Sequence, residues 1–193
     1  GAVTSYVKAV SVNGVEATVE HVKDETYPLS RPFVLAASAG ENALRDDFLR
    51  FVCSADGQAI VADKGYIPAV KDAKPYVMTE VSGKLTMSGS TTVEKVMEKL
   101  KEAYVALHPN AVIELTYSGS SAGIKDATEG KVEIALSSRA LKEEEKATLT
   151  ETVFAHDGIA VIVHRDNPVT ALTSEQITAI FTGAVRTWAD RQE

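Results

Sequence analysis

Residues 84–139 read KLTMSGSTTVEKVMEKLKEAYVALHPNAVIELTYSGSSAGIKDATEGKVEIALSSR, and their rhythm decides the fold. A strand at Lys84–Ser88 runs into Gly89-Ser90-Thr91-Thr92, after which Val93, Val96, Met97, Leu100, Tyr104 and Leu107 recur on one helix face. A second strand, Val112–Tyr117, meets Ser118-Gly119-Ser120-Ser121-Ala122-Gly123 and a short helix ending near Gly130. A third, Val132–Leu136, leads to Ser137-Ser138-Arg139 and an acidic helical segment. Strand and helix alternate, which predicts an α/β fold with a largely parallel sheet.

Working outward, Ile159–Val163 is a continuous apolar run, the pattern of a strand buried on both faces. Thr173-Ser174-Glu175-Gln176 has capping-box spacing and opens a helix through Ile177 and Ile180 to Gly183. Upstream, Val7–Val12 alternates as a strand and Asn13-Gly14 marks a turn. Tyr27-Pro28-Leu29-Ser30-Arg31-Pro32 favours an extended path that Phe33-Val34-Leu35 continues as a short strand. Helical spacing covers Glu41–Val52 through Leu44, Phe48, Phe51 and Val52, and a further helical run from Gly57 stops at Gly65. Residues 69–83 are polar, contain proline, lack a strong period and read as a linker.

The 193 residues are enough for one large domain or two small ones, and 45% apolar with 24% charged residues excludes a disordered chain. No apolar run approaches the roughly 20 residues that cross a bilayer. No basic, apolar leader opens the sequence, which is compatible with one having been removed. Twenty basic residues against 27 acidic ones give a net charge of -7, which argues against a nucleic-acid-binding face. The single Cys53 forms no internal disulfide and reads as a small apolar residue of a helix. His21, His108, His156 and His164 lack the close spacing of a zinc site, although His156 and His164 lie near enough to meet across a strand. Neither a metal nor a cofactor is implied. Glu143-Glu144-Glu145 reads as a solvated helix start, and Trp188 as packing.

Three strand-to-helix turns are rich in small hydroxyl residues: Ser88-Gly89-Ser90-Thr91-Thr92, Ser118-Gly119-Ser120-Ser121, and Ser137-Ser138; of these, Ser90, Thr91, Thr92, Ser120, Ser121 and Ser138 are the candidate ligand residues. A parallel sheet delivers such turns to one edge, where each following helix presents unpaired N–H groups and its positive dipole end. Glycine lets the backbone come close and the hydroxyls add donors. One such turn is explained by capping alone; three on one edge describe an oxyanion cradle. Held against the chain's negative charge, an anion there depends on these local donors.

These residues resemble a known family. Gly89-Ser90-Thr91-Thr92-Val93, Gly119-Ser120-Ser121-Ala122-Gly123, Ser137-Ser138-Arg139-Ala140-Leu141, Asp157–Val163 and Ile180-Phe181-Thr182-Gly183 with Trp188 occur in the order found in PstS-type phosphate-binding proteins, the solute receptors of ABC phosphate importers. Val12-Asn13-Gly14-Val15, Tyr27–Pro32, Gly57–Val61 and Gly65-Tyr66-Ile67-Pro68 resemble the carboxyl-terminal part of that family. A family tail thus precedes a family head, as at the junction of tandem repeats or in a permuted receptor. The resemblance implies a type II periplasmic-binding-protein-like fold with one complete lobe, residues 29–165, and fragments of a second at 1–28 and 166–193. The chain would cross between them at Tyr27–Leu35 and Ile159–Asp166.

It also implies inorganic phosphate as ligand, the membrane permease subunits of an ABC importer as partners, and an extracytoplasmic location, either as a cell-surface lipoprotein of a Gram-positive bacterium or in a periplasm. Thr91, Thr92 and Ser120 match the family's phosphate-binding turns. Arg139 stands where some members place an aspartate that accepts the proton of hydrogen phosphate. Arginine donates to an oxyanion but accepts nothing, so Asp157 is the candidate acceptor that separates phosphate from sulfate. The family's arginine followed by a Ser-Gly-Thr turn is absent, so this chain alone is expected to bind phosphate weakly or not at all. Another oxyanion is the nearest alternative ligand. A serine hydrolase is the other reading: Gly119-Ser120-Ser121-Ala122-Gly123 fits the nucleophile elbow, with Asp126 or Asp157 and then His164 completing a triad, but the oxyanion-loop motif is missing.

Overall fold

The computed structural model describes residues 5–188, so the outermost residues of the two flanking fragments, 1–4 and 189–193, lie outside the described residues. In chain order the elements are β1 (Val7–Ala9), β2 (Ser11–Val12), α1 (Val19–Lys23), β3 (Ser30–Ser38), α2 (Ala43–Val52), α3 (Ala55–Asp63), β4 (Ile67–Pro68) and β5 (Gly83–Gly89). A 3-10 turn at Thr91–Val93 leads into α4 (Glu94–Leu107), followed by β6 (Ala111–Tyr117), α5 (Ser120–Thr128), β7 (Ile134–Ser137), α6 (Glu143–Lys146), β8 (Leu149–Gly158), β9 (Ile162–His164), β10 (Ala171–Leu172) and α7 (Ser174–Phe181). The chain divides into two compact units, Arg31–Asp157 and the pair of segments 1–30 and 158–193.

The unit Arg31–Asp157 is built on a six-stranded sheet in the order β4-β8-β3-β7-β5-β6. Strand β5 runs parallel to both β6 and β7, while β3 is antiparallel to β7 and β4 antiparallel to β8. The sheet is therefore mixed, where alternation of elements predicted it largely parallel. Strand β3, supplied from upstream of the irregular segment, lies between β7 and β8 and reverses direction against β7.

Side-chain alternation explains the layers, because successive strand residues face opposite sides. Phe33, Leu35, Leu85, Met87, Ala111, Ile113, Ile134 and Leu136 join Phe48, Phe51, Val96, Met97, Leu100 and Tyr104 in one core, between the sheet and α2, α3 and α4. Val34, Ala36 and Ala135 face the other way and pack with Ile124 and Ala127 of α5. Helix starts carry matching caps: Asn42 accepts from the N–H of Arg45, and Ser54 from that of Gly57. Cys53 follows α2 as its C-cap and is partly buried, and burial raises its thiol pKa.

Residues 69–82 contain neither helix nor strand, yet they are fastened to this unit. Asp47 of α2, 1% exposed, accepts from Tyr76 Oη at 2.5 Å, Tyr104 Oη at 2.6 Å and Thr79 Oγ1 at 2.6 Å, and pairs with Arg50. His108 Nε2 lies 2.7 Å from the Tyr76 hydroxyl. Burial alone raises the pKa of Asp47, but the hydrogen bonds from Thr79, Tyr104 and Tyr76 and the Arg50 charge outweigh it and lower the carboxyl. A segment read as a linker is thus a strap bonded to the unit that contains both its ends.

In the other unit, β1 pairs antiparallel with β9 and β2 parallel with β10. Val10, Val163, Val169 and Leu172 form its small core, with Val161, Ile177 and Ile180 against it. The apolar run 159–163 is not a single strand: Ile159 is 53% exposed, Ile162 is 39% exposed, and only the second part of the run joins β9. Helix α7 keeps its capping box, Thr173 accepting from the N–H of Gln176 and the Gln176 side chain accepting from the N–H of Thr173.

Candidate functional site

Three adjacent parallel strands, β7, β5 and β6, end at the same edge, and each runs into one of the three hydroxyl-rich turns. Their side chains meet. Ser90 Oγ donates to Ser138 Oγ at 3.0 Å, and the Oγ atoms of Ser138 and Ser120 lie 3.3 Å apart. The Ser138 N–H donates to Ser120 Oγ at 3.2 Å, and Ser90 Oγ caps the next turn by accepting from the N–H of Thr92. One serine from each turn therefore belongs to one cluster.

Two glycines permit this approach. A Cβ on Gly89, whose φ of 151° already disfavours a side chain, would lie 2.0 Å from the Leu136 carbonyl oxygen. A Cβ on Gly123 would lie 2.2 Å from the Ser88 carbonyl oxygen and 2.5 Å from Gly89 Cα. The Gly89 carbonyl in turn accepts from the N–H groups of Ser118 and Gly119 at 2.8 and 2.7 Å, which ties the second turn over the first. Gly119 is the N-cap of α5 and offers no capping side chain, so the first N–H groups of that helix, with exposed Ser121, face outward from the cluster. Thr91 is exposed and Thr92 partly buried on the adjoining 3-10 turn.

The two charged candidates are engaged elsewhere. Arg139 points both terminal nitrogens at the Glu145 carboxylate, 2.8 Å each, and a third bond from Nη1 reaches the Ala140 carbonyl. The hydrogen bonds from Arg139, opposed by partial burial and helped by the Lys142 N–H, lower the Glu145 carboxyl to about 2. Glu145 is therefore not a solvated acidic residue of a helix start; it holds the one arginine expected at the site. Asp157 Oδ2 accepts from both Nε and Nη2 of Arg31, at 3.0 and 2.8 Å. No described hydrogen bond links Asp157 to the serine cluster.

The candidate acid and histidine of the hydrolase reading have other neighbours. Asp126 accepts from Ser88 Oγ rather than from a histidine, and His164 stands opposite Val7 in the β1–β9 ladder. His156 stands opposite Ile67 in the β4–β8 ladder. His108 and His156 are buried. Trp188 is 47% exposed and lines a small concavity with Ile180 and Val185.

Ser88 and Ser118 belong to the hydroxyl-rich turns but not to the expected ligand residues; they pair at 2.9 Å between Oγ atoms beside the cluster. In sequence, serine closes β5 just before its glycine and opens the β6 turn just before Gly119.

Residues 76–193 match the model of the PBP superfamily domain. Over 188 residues the chain is 40% identical to "Phosphate-binding protein PstS 2" of Streptococcus pneumoniae serotype 4, covering 97% of this chain and 65% of that protein. The crystal structure of a phosphate ABC transporter, phosphate-binding protein from Streptococcus pneumoniae TIGR4 superposes with a TM-score of 0.92 at 39% identity, covering 99% of this chain and 74% of that one. The chain belongs to the PstS-type phosphate-binding proteins. "Phosphate-binding protein PstS 2" of Streptococcus agalactiae serotype V is also similar, 41% identical over 192 residues and again with 65% of its length covered. This PstS-type chain thus spans just under two thirds of the curated relatives it matches. The matches to the two streptococcal proteins cover 97% and 98% of this chain. No helix among the described residues is long and apolar enough to cross a membrane.

Proposed function

We propose that this chain holds inorganic phosphate for an extracytoplasmic receptor of an ABC-type importer, whose membrane permease subunits are its partners. The carrying observation is the meeting of Ser90, Ser120 and Ser138 from three separate turns. Hydroxyls and helix-terminal N–H groups concentrate partial positive charge where the strands end, and a desolvated anion gains most from fixed donors. With Arg139 committed to Glu145, the cradle is made of neutral donors: Ser90, Thr91, Thr92, Ser120, Ser121 and Ser138 with the N–H groups beside them. The names of the relatives support phosphate as the anion and binding rather than catalysis as the activity.

In this reading the ligand-holding lobe, expected at 29–165, corresponds to the unit Arg31–Asp157, and residues 158–165, with β9, go with 1–30 and 166–193 in the second lobe. With the family's arginine and Ser-Gly-Thr turn absent from these residues, weak phosphate binding is expected of them. Titration with inorganic phosphate, followed through amide resonances, reads weak binding directly. Saturable shifts concentrated at Thr91, Thr92, Ser120, Ser121 and Ser138 are expected. Shifts absent from these residues, or scattered over the surface, overturn the proposal.

A further inference from the structure

Ser118 lies outside the cluster of three serines, and its hydrogen bonding is dictated from behind. Ser88 is 3% exposed and sits between two partners: its Oγ is 3.2 Å from Asp126 Oδ2 and 2.9 Å from Ser118 Oγ. Asp126 lies 3.8 Å from the Lys131 ammonium as the carboxylate of an ion pair, and a carboxylate only accepts. A hydroxyl has one proton to give. Ser88 gives its proton to Asp126, so in the Ser88–Ser118 contact the donor is Ser118. The Ser118 proton is then directed toward Ser88, and this exposed residue is left with lone pairs to offer an incoming donor.

The serine cluster has the opposite polarity. Ser120 Oγ already accepts the Ser138 N–H, and Ser138 Oγ accepts from Ser90. Of the Ser120 and Ser138 protons at most one lies between these two oxygens, which leaves the other to point outward. The Ser118 and Gly119 N–H groups bond to the Gly89 carbonyl, next in sequence to Ser90, so Ser118 stands at the same strand-end edge as the cluster.

We infer that Ser118, held in its accepting orientation by Ser88 and Asp126, is a specificity-determining residue: it accepts the hydrogen of protonated phosphate and disfavours fully ionised oxyanions such as sulfate. The inference rests on the phosphate reading above. It supplies the acceptor that the Arg139 position lacks and that Asp157, engaged with Arg31, does not provide.

The test compares inorganic phosphate with sulfate, each titrated into the full 193-residue chain and followed through amide resonances. Wild type favours phosphate. In Ser118→Ala the phosphate-to-sulfate preference falls by about tenfold, the scale of one charge-assisted hydrogen bond. Asp126→Asn, whose amide also donates, lets the chain of protons reverse, and Ser88→Ala releases the Ser118 proton; both lower the same ratio without touching the ligand. A structural disturbance instead weakens both anions alike. If wild type binds phosphate at the rim and all three variants keep its ratio, the assignment of Ser118 is wrong and the cradle stands. If wild type shows no phosphate shifts at the rim, the cradle falls and this inference with it.

Discussion

Arg139 and Glu145 meet through two parallel nitrogen–oxygen contacts of 2.8 Å, a fork against a fork. This geometry is as favourable as an arginine finds, and it draws the guanidinium toward α6 instead of toward an anion. Arg139→Ala is therefore expected to leave phosphate shifts at Ser120 and Ser121 in place while lowering stability by about 1 kcal/mol, measured by urea unfolding.

The same pair sets an acid limit. The folded-state carboxyl of Glu145 is lowered from 4.5 to about 2, so its stabilisation is complete above the ordinary value and disappears as pH falls through the folded one. Thermal unfolding measured between pH 5 and pH 2 (roughly the span that linkage assigns) shows a decline that Glu145→Gln makes shallower. An identical decline in that variant assigns the acid sensitivity to other carboxyls.

Removing a hydroxyl from the serine cluster tests the cradle without disturbing the core. Ser138→Ala deletes the oxygen that both Ser90 and Ser120 contact, and phosphate affinity falls about tenfold with the unfolding midpoint nearly unchanged.

Gly123 carries a sharper steric demand. A methyl group there meets the Ser88 carbonyl oxygen at 2.2 Å, so Gly123→Ala forces α5 away from β5. A loss of about 1–3 kcal/mol is expected, accompanied by loss of phosphate shifts, because the helix that offers its N–H groups is displaced.

Asp47 ties the strap to the sheet's helical face. Asp47→Ala leaves the hydroxyls of Tyr76, Tyr104 and Thr79 without their acceptor and costs about 3 kcal/mol. Hydrogen exchange would show amides of residues 74–82 opening before those of β5. Unchanged protection there means that packing, not the carboxylate, retains the strap.

What could be read from the sequence was what depends on near neighbours. The apolar face of α4, the Thr173 capping box and the three small-residue turns follow from local spacing, and the structure has them there; the caps Asn42 and Ser54 emerge only in the structure. The position of β3 did not follow, because alternation in Phe33–Ala37 reports that a strand has two buried faces and not which strands flank it. For the same reason Ile159–Val163 was misread: an apolar run names no partner, and these residues have only β1 beside the part that is a strand. The charges were least legible. Arg139 chose Glu145 and Arg31 chose Asp157 through distances that only the folded chain creates.

The placement of β3 between β7 and β8 has a consequence for synthesis. A polypeptide made from its amino end presents this strand, with five consecutive residues buried in the finished molecule, long before either flanking strand has been translated. Until then its edges and its apolar side chains await partners, a state that invites association with other nascent chains. Chaperone dependence during export or expression should accordingly concentrate on the interval before residue 158 emerges, and shorten if β3 is made less apolar at Val34 or Ala36.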